Sequence, residues 1–251
     1  MTTTLMPGAE PWSHEGGPAG ALCLHGFTGS PSSMRGVAKA YAAAGFSVEL
    51  PRLPGHGTTV EEMMTTGWAD WVGEAEAAYQ RLAARTESVV VAGLSMGGSL
   101  TLWTAAQHPE VAGIVCINPA TQPQPAEVMD MVQGMIDEGT ELIPGDGSDM
   151  AAPGVVEAAY LGTPLRPRVS MMNGVVDLVA SYPSILCPLL LITSTQDHVV
   201  DPAQSDYLAE HYGGPVERIV LERSYHVATL DYDRELIEER AVEFGRKVTS
   251  G

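Results

Sequence analysis

The pentapeptide Gly93-Leu94-Ser95-Met96-Gly97 constrains this chain more than any other stretch of it. It lies between an apolar run, Val89-Val90-Val91-Ala92, and an amphipathic stretch that begins at Met96. Gly-x-Ser-x-Gly in that setting predicts a strand, a sharp turn and a helix, with the serine held in strained backbone angles at the carboxyl end of the strand. The two glycines remove the Cβ atoms that would block so tight a turn. A bare match to the pattern arises often by chance, so its meaning rests on what the rest of the chain supplies.

A serine hydroxyl is a weak nucleophile that needs a base within hydrogen-bond reach, a carboxylate to orient that base, and donors for the oxyanion that forms. In a turn of this kind the acid and then the base follow the serine, each in a loop after a later strand. The run Pro188-Leu189-Leu190-Leu191-Ile192-Thr193 reads as a buried parallel strand, and the loop after it contains Asp197. Val216 to Leu221 reads as the next strand, and its loop, Glu222-Arg223-Ser224-Tyr225-His226, delivers a histidine before a last helix that starts near Asp231. Asp197 is therefore the candidate acid, with Asp201 competing, and His226 the candidate base. The oxyanion donors are expected at the N–H of Met96, just after the serine, and at the N–H of Phe27, in the Gly-rich loop His25-Gly26-Phe27-Thr28-Gly29 that follows an early strand. His25 reads as a brace for that loop. Gly55-His56-Gly57 reads as a turn, and Trp68-Ala69-Asp70-Trp71 as a helix start with Asp70 at its positive end and the tryptophans packed inward.

The wider pattern is an alternation of short apolar runs with helical stretches: strands near 21–25, 46–50, 88–93 and 111–117, and helices near 32–44, 68–85 and 96–107. Parallel strands need a crossover, usually a helix, so this rhythm predicts a mostly parallel central sheet covered on both faces. Gly45 and Pro109 punctuate the helix ends. Between Asn118 and Pro188 the rhythm breaks into short amphipathic pieces separated by proline and glycine. An insertion there, before the last two strands, would lie over the sheet edge where Ser95 points, as a lid. Met129, Met131, Met135, Met150, Met171 and Met172 fall in it, and Met34, Met63 and Met64 lie before it. Their unbranched side chains suit either an adaptable acyl tunnel or ordinary packing of the lid on the core.

Five segments together resemble the bacterial monoacylglycerol lipases and the small carboxylesterases of the α/β-hydrolase superfamily: Leu24 to Pro31, Pro51 to Thr58, Gly93 to Gly98, Asp197 to Val200 and Ser224 to Thr229. The likeness runs along almost the whole chain and is weakest between about Thr121 and Tyr182. It implies an α/β-hydrolase fold with a core of residues 1–120 and 183–251 and a small helical cap of residues 121–182. It also implies ester hydrolysis through an acyl-enzyme, most simply of monoacylglycerols to fatty acid and glycerol. Ser95, Asp197 and His226 fall on the family's nucleophile, acid and base, and Phe27 and Met96 on its oxyanion positions. Glu157 resembles the cap glutamate that helps recognise glycerol hydroxyls. The same residues would serve a general short- to medium-chain carboxylesterase or a thioesterase, and lactone, carbon–carbon bond and peroxide chemistry use the same triad. A non-catalytic ligand-binding module of the same fold is the alternative from a different class, but it has no need of serine, acid and base in register.

Composition narrows the partners. With 13 Lys plus Arg against 31 Asp plus Glu, the chain of 251 residues carries a net charge of −18. Such a surface repels nucleic-acid phosphates and anionic lipid headgroups, and suits a small neutral ester as substrate. The chain has no apolar run long enough to span a bilayer, and its first residues lack the basic start and apolar stretch of a signal peptide, so stable membrane insertion is not expected and a cytoplasmic location is. Cys23, Cys116 and Cys187 lie in or beside apolar runs and read as reduced, buried thiols. The histidines show no ligand spacing, and the chemistry needs neither metal nor cofactor.

Overall fold

A computed structural model describes residues 4–145 and 148–250. In chain order the elements are β1 (Trp12–His14), β2 (Ala19–Leu24), α1 (Arg35–Ala43), β3 (Ser47–Leu50), α2 (Val60–Met63), α3 (Trp68–Ala83), β4 (Ser88–Leu94), α4 (Met96–Gln107) and β5 (Gly113–Ile117). They continue with α5 (Ala126–Asp137), β6 (Leu142–Pro144), β7 (Gly162–Pro164), α6 (Leu165–Val179), β8 (Leu189–Ser194), α7 (Ala203–His211), β9 (Val216–Leu221) and α8 (Arg234–Thr249). The main sheet has the order β1-β3-β2-β4-β5-β8-β9 and is parallel except for β1, which pairs antiparallel with β3 at the edge.

The continuous apolar runs have a simple cause. Each central strand is buried on both faces, so alternate residues pack against different helix layers. Leu22, Leu24, Val89, Val91, Ile114, Cys116, Leu189 and Leu191 meet Trp71, Ala75 and Leu82 of α3 and Leu100 of α4. Their neighbours Ala21, Cys23, Val90, Ala92, Val115, Ile117, Leu190 and Ile192 meet Val37 and Tyr41 of α1 and Ile237 and Phe244 of α8. Cys23 and Cys116 sit inside these layers as free thiols, and Cys187 is half-buried and also free. Burial pushes the Cys23 thiol up to about 12, so it is inert at neutral pH.

The segment between β5 and β8 departs from a purely helical expectation. α5 and α6 pack through Val132, Ile136 and Leu165. Between them β6 and β7 form an antiparallel ribbon, with Ile143 opposite Thr163. Each strand is three residues long and ends in proline, too short and too interrupted to show a period of two. α6 is held to α3 at Gly174, where a Cβ would stand 2.3 Å from the Trp68 ring, and at Ser170, whose hydroxyl accepts the Trp68 N–H at 3.0 Å. Asp70 accepts the Gly67 N–H at 2.9 Å and closes the first turn of α3.

Candidate active site

β4 delivers Ser95 at φ 57° and ψ −121°, a conformation that a β-bearing residue holds only when its surroundings enforce it. Here they do. A Cβ at Gly93 would lie 2.0 Å from the Gly97 carbonyl oxygen, and one at Gly97 would lie 2.1 Å from the Leu24 carbonyl oxygen. The elbow is thus wedged between its own helix and β2, and only glycine fits at either side. The Ser95 N–H donates to Ile117 at 2.9 Å, which ties the turn to the end of β5.

Met96 opens α4, so its N–H has no carbonyl of the helix to meet. The loop after β2 comes alongside: a Cβ on Gly26 would touch the Ser95 Cβ at 3.3 Å, which puts the Phe27 backbone beside the serine. Thr28 follows at φ 60° and its hydroxyl donates to the Phe27 carbonyl at 2.7 Å. His25 braces this loop. Its Nε2 accepts the Leu53 N–H at 3.1 Å, so the ring proton is on Nδ1, which donates to the Gly26 carbonyl at 3.0 Å. Full burial, with the neighbouring His56 contributing, holds the His25 pKa well below its ordinary value and keeps the brace neutral.

His226 Nδ1 lies 2.7 Å from Asp197 Oδ2, and both side chains are almost wholly buried. Oδ1 of Asp197 accepts the N–H groups of Val199 and Val200 at 2.9 and 2.8 Å, so the carboxylate cannot swing away from the ring. Asp201, the competing candidate, is exposed and accepts the Ala203 N–H at 2.9 Å at the start of α7, while the bond to His226 is made by Asp197.

Three further side chains hold the histidine loop, and sequence reasoning missed each. Asn118, at φ 43° after β5, donates to the His226 carbonyl at 2.8 Å and accepts the Ser194 N–H at 2.7 Å, linking the ends of β5 and β8 to that loop. Asp149, from the inserted segment, accepts the N–H groups of His226 and His198, both at 3.1 Å. Asp231 is buried, and its two oxygens accept N–H groups from Ala151, Ala152, Tyr225 and Tyr232 at 2.7 to 2.9 Å. An asparagine after a strand and an aspartate before a helix read as ordinary turn and cap residues. No local signal separates them from those roles.

Ser95, His226, Phe27 and Glu157 line one cavity that, with its mouth, encloses about 1040 Å³ free of protein atoms. Glu157 reaches it from the inserted segment and packs against Gly29, whose added Cβ would be 2.7 Å from Oε1. Burial raises the Glu157 pKa above the usual carboxylate range, with the His226 charge and the Ser148 hydroxyl at 3.4 Å opposing. Tyr160 fastens this part of the segment: its N–H donates to Thr28 at 3.1 Å and its hydroxyl to Gly55 at 2.7 Å.

The methionines divide between the two expected roles. Met171 and Met172 line the cavity, but Met135 packs between α5 and α6, Met150 packs on the core, Met131 is exposed, and Met34 and Met63 are core residues. His56 is also core: Nδ1–H donates to the Pro54 carbonyl at 3.0 Å, while Nε2 is buried without a partner among the described residues, between His25, Phe27 and Trp71.

Comparison with known proteins agrees with this architecture. The thermostable monoacylglycerol lipase of Bacillus sp. (strain H-257) is 44% identical over 244 residues, 97% of this chain and 96% of that protein. The carboxylesterase of Bacillus subtilis (strain 168) is 25% identical over 95% of this chain and 97% of its own length. A solved structure reported with LipS and LipT, two metagenome-derived lipolytic enzymes, superposes with a TM-score of 0.92 at 42% identity, covering 97% of this chain and 100% of that one. The model of the Alpha/beta hydrolase family matches residues 21–239, the span that holds the strained serine elbow between β4 and α4, and the chain belongs to that family.

Proposed function

We propose that this protein is a serine hydrolase that cleaves monoacylglycerols to fatty acid and glycerol through an acyl-enzyme on Ser95. The observation that carries the reading is the 2.7 Å pair of His226 Nδ1 and Asp197, whose imidazole faces the same cavity as the strained Ser95. With Nδ1–H donated to Asp197, Nε2 is the nitrogen free to take the serine proton. Ser95 Oγ attacks the ester carbonyl as Nε2 takes that proton, and the N–H groups of Phe27 and Met96 receive the oxyanion. His226 then protonates the leaving alcohol and afterwards activates water, which releases the fatty acid. Glu157 bonds the free glycerol hydroxyls, the role that the name of the 44% identical relative makes the simplest. In this reading residues 121–182 are a cap over a core of residues 1–120 and 183–251, and Met171 and Met172 border the acyl chain. The free cysteines accord with a cytoplasmic enzyme.

The test combines a label and a substrate panel. A fluorophosphonate should label the wild type and fail to label Ser95→Ala, whose esterase activity should fall by roughly 10³-fold or more in a folded protein. Near-native turnover by that variant would remove Ser95 from the mechanism. Monoacylglycerols should be cleaved in preference to di- and triacylglycerols. In Glu157→Ala, kcat/KM on monoacylglycerol should drop about ten-fold, as for loss of one charge-assisted hydrogen bond, with a smaller change on a p-nitrophenyl ester of the same acyl chain. Equal losses on both would leave a general carboxylesterase.

A further inference from the structure

The cavity wall supplied by α6 is not uniform. Arg168, Met171 and Met172 all line it, and residues three and four apart share one helix face, so they form a single strip. The two methionines suit an acyl chain. Arg168, one turn before them, does not. Its guanidinium has no hydrogen bond or ion pair among the described residues. Arg81, Arg85, Arg218, Arg223 and Arg240 each bond a carboxylate, and of the arginines that do not, Arg168 is the one that lines the cavity. Arg168 is half-buried, and Thr163 and Gln124 add polar groups to the same lining. Glu157, the carboxylate of the cavity, does not bond Arg168: it packs against Gly29 and accepts the Ser148 hydroxyl.

Resting on the ester-hydrolase reading, we propose that Arg168 is a specificity residue that receives the anionic end of an acyl chain, so that the enzyme takes monoesters of dicarboxylic acids as well as plain fatty acyl esters. A carboxylate carried into a cavity loses hydration and must be repaid by a partner. Arginine is always charged and offers a planar fork that binds a carboxylate with two N–H groups. Its aliphatic stem can still flank a neutral chain, which keeps ordinary acyl groups acceptable. The strip then reads as a chain-binding wall ending in an anion receiver.

The experiment compares p-nitrophenyl half-esters of adipate and suberate with p-nitrophenyl hexanoate and octanoate, and reads the ratio of kcat/KM for each acid-ended ester to its neutral counterpart. That ratio should fall about ten-fold or more in Arg168→Met, fall less in Arg168→Lys, and in Arg168→Glu give way to a preference for esters ending in an ammonium group. In the wild type, which needs no variant to fold, it should decline as salt screens the pair. A ratio unmoved by Arg168→Met, by charge reversal or by salt would overturn the proposal while the neutral esters are still cleaved. If the wild type cleaved no neutral ester, the ester-hydrolase reading itself would fail.

Discussion

A methyl group at Gly29 would crowd Glu157, because an added Cβ would stand 2.7 Å from Oε1, the far end of a side chain that must then shift. Gly29→Ala therefore pushes on that carboxylate from the opposite wall, and we expect it to lower the ratio of monoacylglycerol to p-nitrophenyl ester turnover in the same direction as Glu157→Ala; an unchanged ratio would show that the carboxylate's position does not matter. A second expectation comes from its ionisation. Burial raises the Glu157 pKa above the usual carboxylate range, and the ionised form, with two charged oxygens and no proton of its own, is the stronger acceptor for the two glycerol hydroxyls of the proposed substrate. The substrate ratio should rise with pH above that range in the wild type and stay flat in Glu157→Gln. Using a ratio cancels any pH dependence that both substrates share. At this scale the pairing of Asp197 with His226 in the cavity of Ser95 was legible, because the candidate nucleophile, acid and base follow one another in chain order after recognisable strands. Asn118, Asp149 and Asp231 were not, because the contacts that tie the histidine loop down, Asn118 and Asp149 to His226 and Asp231 to Ala151 and Ala152, span 77 to 108 residues, which local pattern cannot bring together.

Elements that are buried on two faces announce themselves, since every position must be apolar. β2, β4, β5 and β8 are of this kind, and their expected ranges agree with the observed ones to within about two residues. α8 begins at Arg234, a few residues later than expected, because Ala228–Leu230 first form a 3-10 turn under the histidine loop. β1, β6 and β7 are three residues each, and their pairing is decided by distant strands rather than by local pattern. The join between β4 and α4 carries its own prediction: Gly97→Ala sets a Cβ 2.1 Å from a backbone oxygen, with no flexible side chain to yield, and should cost about 3 kcal/mol or more in urea unfolding. Asp231 joins the inserted segment to the histidine loop through four N–H groups. Asp231→Asn turns an NH₂ group toward N–H donors, and should both destabilise the fold by about 1–3 kcal/mol and lower kcat. Full kcat in a destabilised variant would mean that the clamp supports the fold without positioning His226.

For the whole molecule, His56 links stability to pH. Burial lowers its pKa to about 4 from 6.5, because a proton on Nε2 would meet rings and no acceptor. The folded state therefore binds fewer protons than the unfolded state between those values, so stability is complete above the unfolded pKa and is lost as pH falls toward 4. His56 alone should account for about 2 kcal/mol of loss between pH 7.5 and pH 5. His25 acts in the same direction. Urea unfolding at the two pH values, with His56→Gln giving a shallower loss than the wild type, checks this; an equal loss in both would assign the acid sensitivity elsewhere. The two glycines that bound the turn around His56, Gly55 and Gly57, hold φ at 76° and 65°, so the loop's path was readable as a turn while its burial was not.

The sequence by itself determined the parallel layered sheet, the serine elbow and the order in which acid and base follow it, because strand burial, glycine sterics and chain order are local or sequential properties. Only the tertiary structure decided which methionines face the cavity, that Asp149 and Asp231 tie the inserted segment to the histidine loop, and that Arg168 has no carboxylate partner among the described residues. Those outcomes depend on packing between segments far apart in the chain, where two residues of the same type, such as Met131 and Met172, differ only in what the fold brings beside them.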